Sequence, residues 1–294
     1  MPAVQIPAGV EGIVSLHELP DATWQDRWDR IFVAPAMKER LLNYLLFLLR
    51  HRGRIAPVGL PVHGLVVLSG PPGTGKTTLA GGLADRAARE LGAGMIGPLL
   101  YVEIDPHAFP SQMLGESQRS VARLFERTLP DLARRGRPTV VLLDEVESLA
   151  VSRAGASLET NPVDVHRATD ATLAGIDHVA RECPNVTFLA TTNNVAGVDA
   201  AFLSRADLVE EFAMPGVEAV CAILRDALVE IAPVAPADGA ALAELAAQCV
   251  AARLDARQVR KLVLRALASR REVALAPERL RVEDLAAALR SAEA

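Results

Sequence analysis

The stretch GPPGTGKTT, Gly70 to Thr78, limits what this chain can fold into more than any other. An apolar run, Leu65-Val66-Val67-Leu68, precedes it, and LAGGLADRAARELG, with the composition of a helix, follows. Strand, glycine-rich loop and helix form the setting in which the pattern G-x-x-x-x-G-K-[ST] binds phosphate. Gly73 and Gly75 can take backbone angles closed to other residues. Successive N–H groups can then turn inward around an anion at a helix N-terminus. Lys76 supplies a compact cation for the β- and γ-phosphates, and Thr77 a hydroxyl for Mg²⁺. Only three of the 31 basic residues are lysines, Lys38, Lys76 and Lys261. In an arginine background, lysine at this position fits a site that needs a point charge and not a fork. Pro72, Gly73, Thr74, Gly75, Lys76, Thr77 and Thr78 are therefore expected to hold ATP.

Half of the 294 residues are hydrophobic and 23% are charged, which supplies a packed core for one large domain or two smaller ones. A net charge of −5 argues against a general nucleic-acid coat or a binder of anionic membranes. Aromatic residues make up only 4%, too few for the stacking platforms of a nucleic-acid motor. Cys183, Cys221 and Cys249 lie far apart, with no CxxC spacing, as reduced structural cysteines of a cytosolic protein do. The opening MPAVQIPAGVEG lacks the basic and apolar regions of a signal peptide. The longest apolar run, Leu41 to Leu49, is too short to cross a bilayer and reads as a buried helix. A cytoplasmic protein without a membrane segment is expected.

Taken in order, residues 1–23 look like a proline-containing arm with little periodicity. Helical character begins near Trp24, returns from Ala36 to Arg52, and gives way to the connector HRGRIAPVGLP. After the phosphate loop, PLLYVEID (Pro98–Asp105) reads as a second strand. Val121, Leu124 and Phe125 then keep the i, i+3, i+4 spacing of a helix. Val140 to Leu143 form a continuous apolar run, the mark of a strand covered on both faces. Asp144 and Glu145 stand at its carboxyl end, where open α/β sheets place ligands. Two carboxylates there suit two tasks: Asp144 in the Mg²⁺ shell, Glu145 polarising a water for attack on the γ-phosphate. NVTFLATTNN is a fourth strand, ending in Asn193, whose amide can orient that water or sense the γ-phosphate. A fifth strand is expected at Leu208–Phe212, and alanine-rich helices run from Pro215 to the end. The predicted class is α/β, a five-stranded parallel sheet with helices on both faces plus a small C-terminal all-α lid. Its divisions fall at an arm over 1–23, an ATPase domain over 24–214 and a lid over 215–294.

The ordered set GPPGTGKTT, VVLLDE, LATTN, R-A-D and an arginine-bearing helical lid resembles the AAA+ ATPases, a class of P-loop NTPases. Within them it looks like the pachytene-checkpoint type, the remodellers of HORMA-domain proteins. DEVESL (Asp144–Leu149), DAAFLSRAD (Asp199–Asp207), LDARQVRKL (Leu254–Leu262) and WDRIF (Trp28–Phe32) carry that likeness, which spans about residues 19–294. The resemblance implies Asn193 as sensor 1, Arg205 as an arginine finger reaching the neighbouring subunit's nucleotide, and Arg257 as sensor 2 touching the γ-phosphate from the lid. A finger supplied in trans implies a homohexamer. Polypeptide would be gripped by a pore loop at Ser111–Glu116, where Met113 and Leu114 take the places of the usual aromatic–hydrophobic pair. A thioether packs against extended chain less rigidly than an aromatic ring.

The stretch ahead of the core is short beside the folded adaptor-binding domain of the eukaryotic relatives, so the resemblance is to the short bacterial form. That form pairs with a HORMA protein and a cyclic-oligonucleotide synthase of the CD-NTase type in anti-phage operons. The implied action is to pull the HORMA protein open, release the synthase and switch signalling off. A second reading is a nucleotide-gated binding module or loader that uses hydrolysis as a timer, without threading.

Overall fold

The computed structural model describes residues 12–55, 59, 61–92, 97–109, 116–152, 162–231 and 239–293. These described residues divide into two compact units, one drawn from those within 12–28, 35–70 and 76–211, the other from those within 29–34, 71–75 and 212–293.

The first unit holds a six-stranded sheet: β1 (Ile13–Leu19), β2 (Leu65–Ser69), β3 (Leu99–Ile104), β4 (Thr139–Leu143), β5 (Val186–Thr192) and β6 (Leu208–Glu211). The order across the sheet is β1-β3-β4-β5-β2-β6. The expectation of five parallel strands is corrected by β1, which pairs antiparallel with β3, Leu16 opposite Val102 and Leu19 opposite Leu99. Its sequence IVSLHEL buries only Ile13, Leu16 and Leu19 fully, as an edge strand with one wet face does. The other five strands are parallel. Every residue of β2, β4 and β5 is buried, which explains the unbroken apolar runs Leu65–Leu68 and Val140–Leu143.

The helices among the described residues are α1 (Gln25–Asp29), α2 (Pro35–His51), α3 (Lys76–Leu91), α4 (Glu116–Arg123), α5 (Leu129–Leu132), α6 (Pro162–Glu182), α7 (Ala200–Leu203), α8 (Val217–Ile231), α9 (Gly239–Ala251), α10 (Ala256–Ser269), α11 (Arg271–Leu275) and α12 (Val282–Glu293). In α2, Leu41, Leu45 and Leu48 turn inward, the i, i+4, i+7 spacing of a helix face. Val121, Leu124 and Phe125 are buried, as their spacing predicts. Between α4 and α5 the chain makes a π-helical turn over Leu124–Thr128. Phe125 meets Phe188 of β5 there, ring centroids 5.8 Å apart.

The second unit has its own core, formed by Val220, Leu224, Leu245, Val259, Leu262 and Leu285 with their neighbours, and Phe32 packs against it. Asp255 caps α10: its carboxylate accepts from the Gln258 backbone, and the Gln258 side chain accepts from the Asp255 backbone. This reciprocal pair satisfies two N–H groups that a helix start otherwise leaves bare. Arg30 reaches Glu230 at 2.7 Å and Asp226 at 3.5 Å, and Arg260 also pairs with Asp226 at 2.8 Å. Arg260 Nη2 also donates to Arg30 O at 3.2 Å, so the segment 29–34 is stapled to both α8 and α10.

Candidate functional site

Parallel register brings the chemistry of three strand ends to one level. Leu143 lies opposite Ala190 and Ser69 opposite Thr192, so Asp144, Asn193 and Gly70 leave the same edge of the sheet. β2 runs between β5 and β6 and not beside β3. Such a reversal of strand order opens a crevice at the carboxyl ends.

The loop from Gly70 to Lys76 turns through three positive φ angles, 138° at Gly70, 75° at Gly73 and 94° at Gly75. A Cβ at Gly73 would stand 2.3 Å from the Asp255 carboxylate carbon, so glycine is required there by space as well as by angle. The buried Thr74 donates its hydroxyl to Pro71 O at 2.9 Å, and Gly70 N donates to Thr192 O at 3.2 Å. Pro72 and Thr78 are exposed.

Lys76 is 5% exposed. Its Nζ donates to Gly70 O at 2.7 Å and to Asn193 Oδ1 at 2.9 Å. The Asn193 amide nitrogen donates to Glu145 Oε1 at 3.1 Å. Its backbone N–H donates to Glu147 Oε1 at 3.0 Å. Thr77 Oγ1 donates to Asp144 Oδ1 at 2.8 Å. Both are hard oxygen donors, a set that suits Mg²⁺.

Glu145 takes the left-handed backbone conformation, φ 52°, ψ 54°. A non-glycine residue held there costs about 1–3 kcal/mol and persists where neighbours fix it. Here Glu145 N donates to Thr191 Oγ1 at 3.0 Å, and the same hydroxyl donates to Asp144 Oδ1 at 2.5 Å. The turn points the Glu145 side chain outward, 49% exposed.

Of the expected site residues, Lys76, Thr77, Asp144, Glu145 and Asn193 are brought together. Arg205 is not with them. The turn that carries it is tied to the opposite end of β2: Asp207 accepts from the backbone N–H of His63, Gly64 and Leu65 at 2.9, 2.6 and 3.0 Å. The five residues of β2 set the two ends ~16 Å apart. Arg205 itself is held by Asp177 of α6, Nε to Oδ1 at 2.8 Å and Nη2 to Oδ2 at 2.9 Å. The Arg205 hydrogen bond holds the Asp177 carboxyl below the usual carboxylate range, against an opposing effect of burial. Arg257 is exposed in the first turn of α10. Met113 and Leu114 lie outside the described residues.

Several residues at the site went unseen in the sequence. His107 Nε2 lies 3.1 Å from Glu145 Oε2 and 3.4 Å from Ser148 Oγ. The pairing of Ile104 with Leu143 puts the end of β3 beside the end of β4, and only that register reveals the contact. Within the second unit, Ile31, Phe32, Val33, Pro215 and Ile223, with Arg30 and Arg260 beside them, line a small cavity. The connector WDRIF was the available signal, a run of large side chains with no periodicity of its own. Among the described residues no helix is long and apolar enough to cross a membrane.

The profile of the "ATPase family associated with various cellular activities (AAA)" matches residues 66–214, from β2 through β6. The chain belongs to the AAA ATPase family. Within that family it is of the pachytene-checkpoint type. This AAA ATPase is 43% identical over 288 residues to CD-NTase-associated protein 6 of Pseudomonas aeruginosa, covering 96% of the present chain and 93% of that protein. It is 31% identical to a pachytene checkpoint protein 2 homolog of Danio rerio, over 74% of the present chain and 51% of that protein. The chain thus spans about half the length of that relative. Two solved structures share the fold: C. elegans PCH-2 (TM-score 0.75, 24% identity, covering 95% of this chain and 74% of that one), and a chain of the E. coli MS115-1 HORMA:CdnC:Trip13 complex (TM-score 0.74, 21% identity, covering 95% of each).

Proposed function

We propose that this AAA ATPase hydrolyses ATP as one protomer of a homohexameric ring in the cytoplasm. It pulls a HORMA-domain protein partly open and takes apart its complex with a CD-NTase, switching anti-phage signalling off. One observation carries the hydrolytic part: the continuous chain Lys76–Asn193–Glu145 beside the Thr77–Asp144 pair. The choice of partner rests on likeness to the CD-NTase-associated protein over nearly the whole of both chains.

The residues divide the work. The loop over Pro72–Thr78 offers its N–H groups to the phosphates, and Lys76 adds its charge between the β- and γ-positions. Thr77 and Asp144 would hold Mg²⁺, which supplies neutralisation of the phosphate charge. Glu145, anchored at Oε1 by Asn193 and approached at Oε2 by His107, takes the proton of the attacking water. Asn193 fixes the direction of that carboxylate. Arg257 keeps the γ-phosphate role that the resemblance gives it.

The separation of Arg205 from the phosphate loop supports a finger given to a neighbour: ~16 Å along β2 is beyond the reach of one side chain. Such a finger contributes on the order of 10³–10⁵ in rate. Met113 and Leu114 would grip the threaded segment.

The test mixes two inactive variants. Arg205→Ala keeps its own Glu145, and Glu145→Gln keeps its own Arg205. Mixed rings contain junctions with one intact copy of each, so hydrolysis should reappear on mixing. The mixture should also release a HORMA-domain protein from its CD-NTase on a sizing column when ATP is present. A mixture as silent as its parts would overturn the ring reading, and hydrolysis without release would overturn the remodelling.

A further inference from the structure

The Asp177–Arg205 pair has a geometry that mere charge neutralisation does not require. Both carboxylate oxygens engage one edge of the guanidinium, the edge formed by Nε and Nη2. Nη1 donates to Ala201 O at 2.8 Å. Those bonds use three of the five N–H groups of an arginine. One N–H on each terminal nitrogen remains, and two terminal N–H groups are what a bidentate grip on a phosphoryl group needs. Arg205 and Asp177 also line a cavity of about 690 Å³, with His63, Arg52 and Ser204 beside them. The Arg205 side chain is 23% exposed and that of Asp177 28%. The guanidinium therefore fronts an opening and is not packed away.

The supports on either side are firm. The backbone at Arg205 is fixed by its own N–H to Phe202 O at 3.1 Å and by Asp207 two residues on, which clasps the start of β2. Asp177 lies on the 21-residue helix α6, whose Ile176 and Val179 are fully buried. His63 Nε2 stands 3.7 Å from the same Asp177 oxygen that Arg205 Nε uses, so the imidazole lies beside the carboxylate. Arg52, part of the cavity wall, is buried and spends its N–H groups on the carbonyls of Val62, His63, Ala180 and Val186. It braces α6 against the start of β2 without competing for Asp177.

We propose that Asp177 is the positioning residue of the arginine finger. Its side-on grip fixes the plane of the Arg205 guanidinium and leaves one N–H on each terminal nitrogen for the phosphoryl group of a neighbouring copy's nucleotide. This inference rests on the trans role given to Arg205 above. A side chain ordered in advance loses no rotamer freedom at the moment of reaction. A misplaced donor at such a site costs up to about 10² in rate.

The test compares steady-state hydrolysis by the full chain in wild type, Asp177→Asn, Asp177→Glu, Arg205→Ala and the double variant Asp177→Asn with Arg205→Ala. Affinity for a fluorescent ATP analogue and sedimentation are followed in parallel. Asp177→Asn should lower kcat between about 10- and 10²-fold, with analogue affinity within about twofold and assembly unchanged. Asp177→Glu, which keeps a carboxylate, should recover most of the loss. In the Arg205→Ala background, Asp177→Asn should cost nothing further, since the two residues act as one unit. An equal loss in both backgrounds would make Asp177 a structural residue and overturn the proposal. So would an unchanged or higher kcat in Asp177→Asn, the latter meaning that the pair restrains the finger. Full turnover in Arg205→Ala would overturn the trans finger itself, a separate result from any failure of Asp177.

Discussion

Asn193 answers to Glu145 and Lys76 at once: its amide nitrogen donates to the carboxylate at 3.1 Å, and its oxygen accepts from the ammonium at 2.9 Å. One planar group therefore sets the direction of the proposed base and of the phosphate-binding cation. Loss of hydrolysis with retention of nucleotide is expected from Glu145→Gln. The variant should bind a fluorescent ATP analogue like wild type and release phosphate about 10²–10⁴-fold more slowly.

Asn193→Ala removes the bridge and leaves both charges in place. Its kcat should fall on the order of 10²-fold, the effect of deleting one prearranged donor, with a smaller change in KM. Asn193→Asp, nearly the same shape, should do no better, because a carboxylate cannot donate to Glu145.

The fold tolerates no methyl group at Gly175. A Cβ there would stand 2.5 Å from the Phe125 Cβ and Cγ, and Phe125 is itself fully buried against Phe188. Gly175→Ala should destabilise by about 1–3 kcal/mol through overpacking. The gain in helix propensity, about 1 kcal/mol, is too small to offset the upper part of that range. Urea unfolding of the two proteins gives the difference directly.

Asp177 carries a pH signature. Its folded pKa is lowered, first by the Arg205 hydrogen bond and further by the charges of Arg205, His63 and Arg181, while burial opposes. A depressed carboxylate stabilises the fold above its unfolded value, about pH 4, and that contribution drains away as pH falls through the folded value. Asp177→Asn should therefore melt below wild type at pH 7, and the gap should narrow below about pH 4. A gap that is constant with pH would mean the pair contributes no linked protons.

The thiols should be silent until the chain unfolds. Cys183, Cys221 and Cys249 are free and buried, and burial pushes the Cys249 thiol up to about 11. With little thiolate present, a disulfide reagent at pH 8 should label Cys249 in the folded protein only as fast as the second unit opens. Urea should release all three at once or in two steps that match the two units.

Much of this was readable in one dimension, for a physical reason. A phosphate loop, a buried strand with two carboxylates at its tip and a strand ending in an amide are each contiguous, so their chemistry is written in neighbouring letters. Long-range pairings are not. His107 approaches Glu145 only because β3 and β4 are in parallel register, and Asp177 meets Arg205 across 28 residues. β1 was missed because Leu16 and Leu19 keep a spacing of three, between a proline and the irregular residues before it. That half-wet pattern signals a strand only when β3 lies beside it. The cores of the two units were equally hidden, since residues 29–34 and 71–75 group with the C-terminal helices and not with their chain neighbours.

Because β1 runs along β3 from Ile13 to Leu19, it acts as the hem of the sheet. A shortened protein beginning at Trp24, an inviting place to trim, would strip the amides and carbonyls of β3 bare. That raw border would be free to zip onto a second molecule, and such a protein should precipitate before its enzymology could be measured.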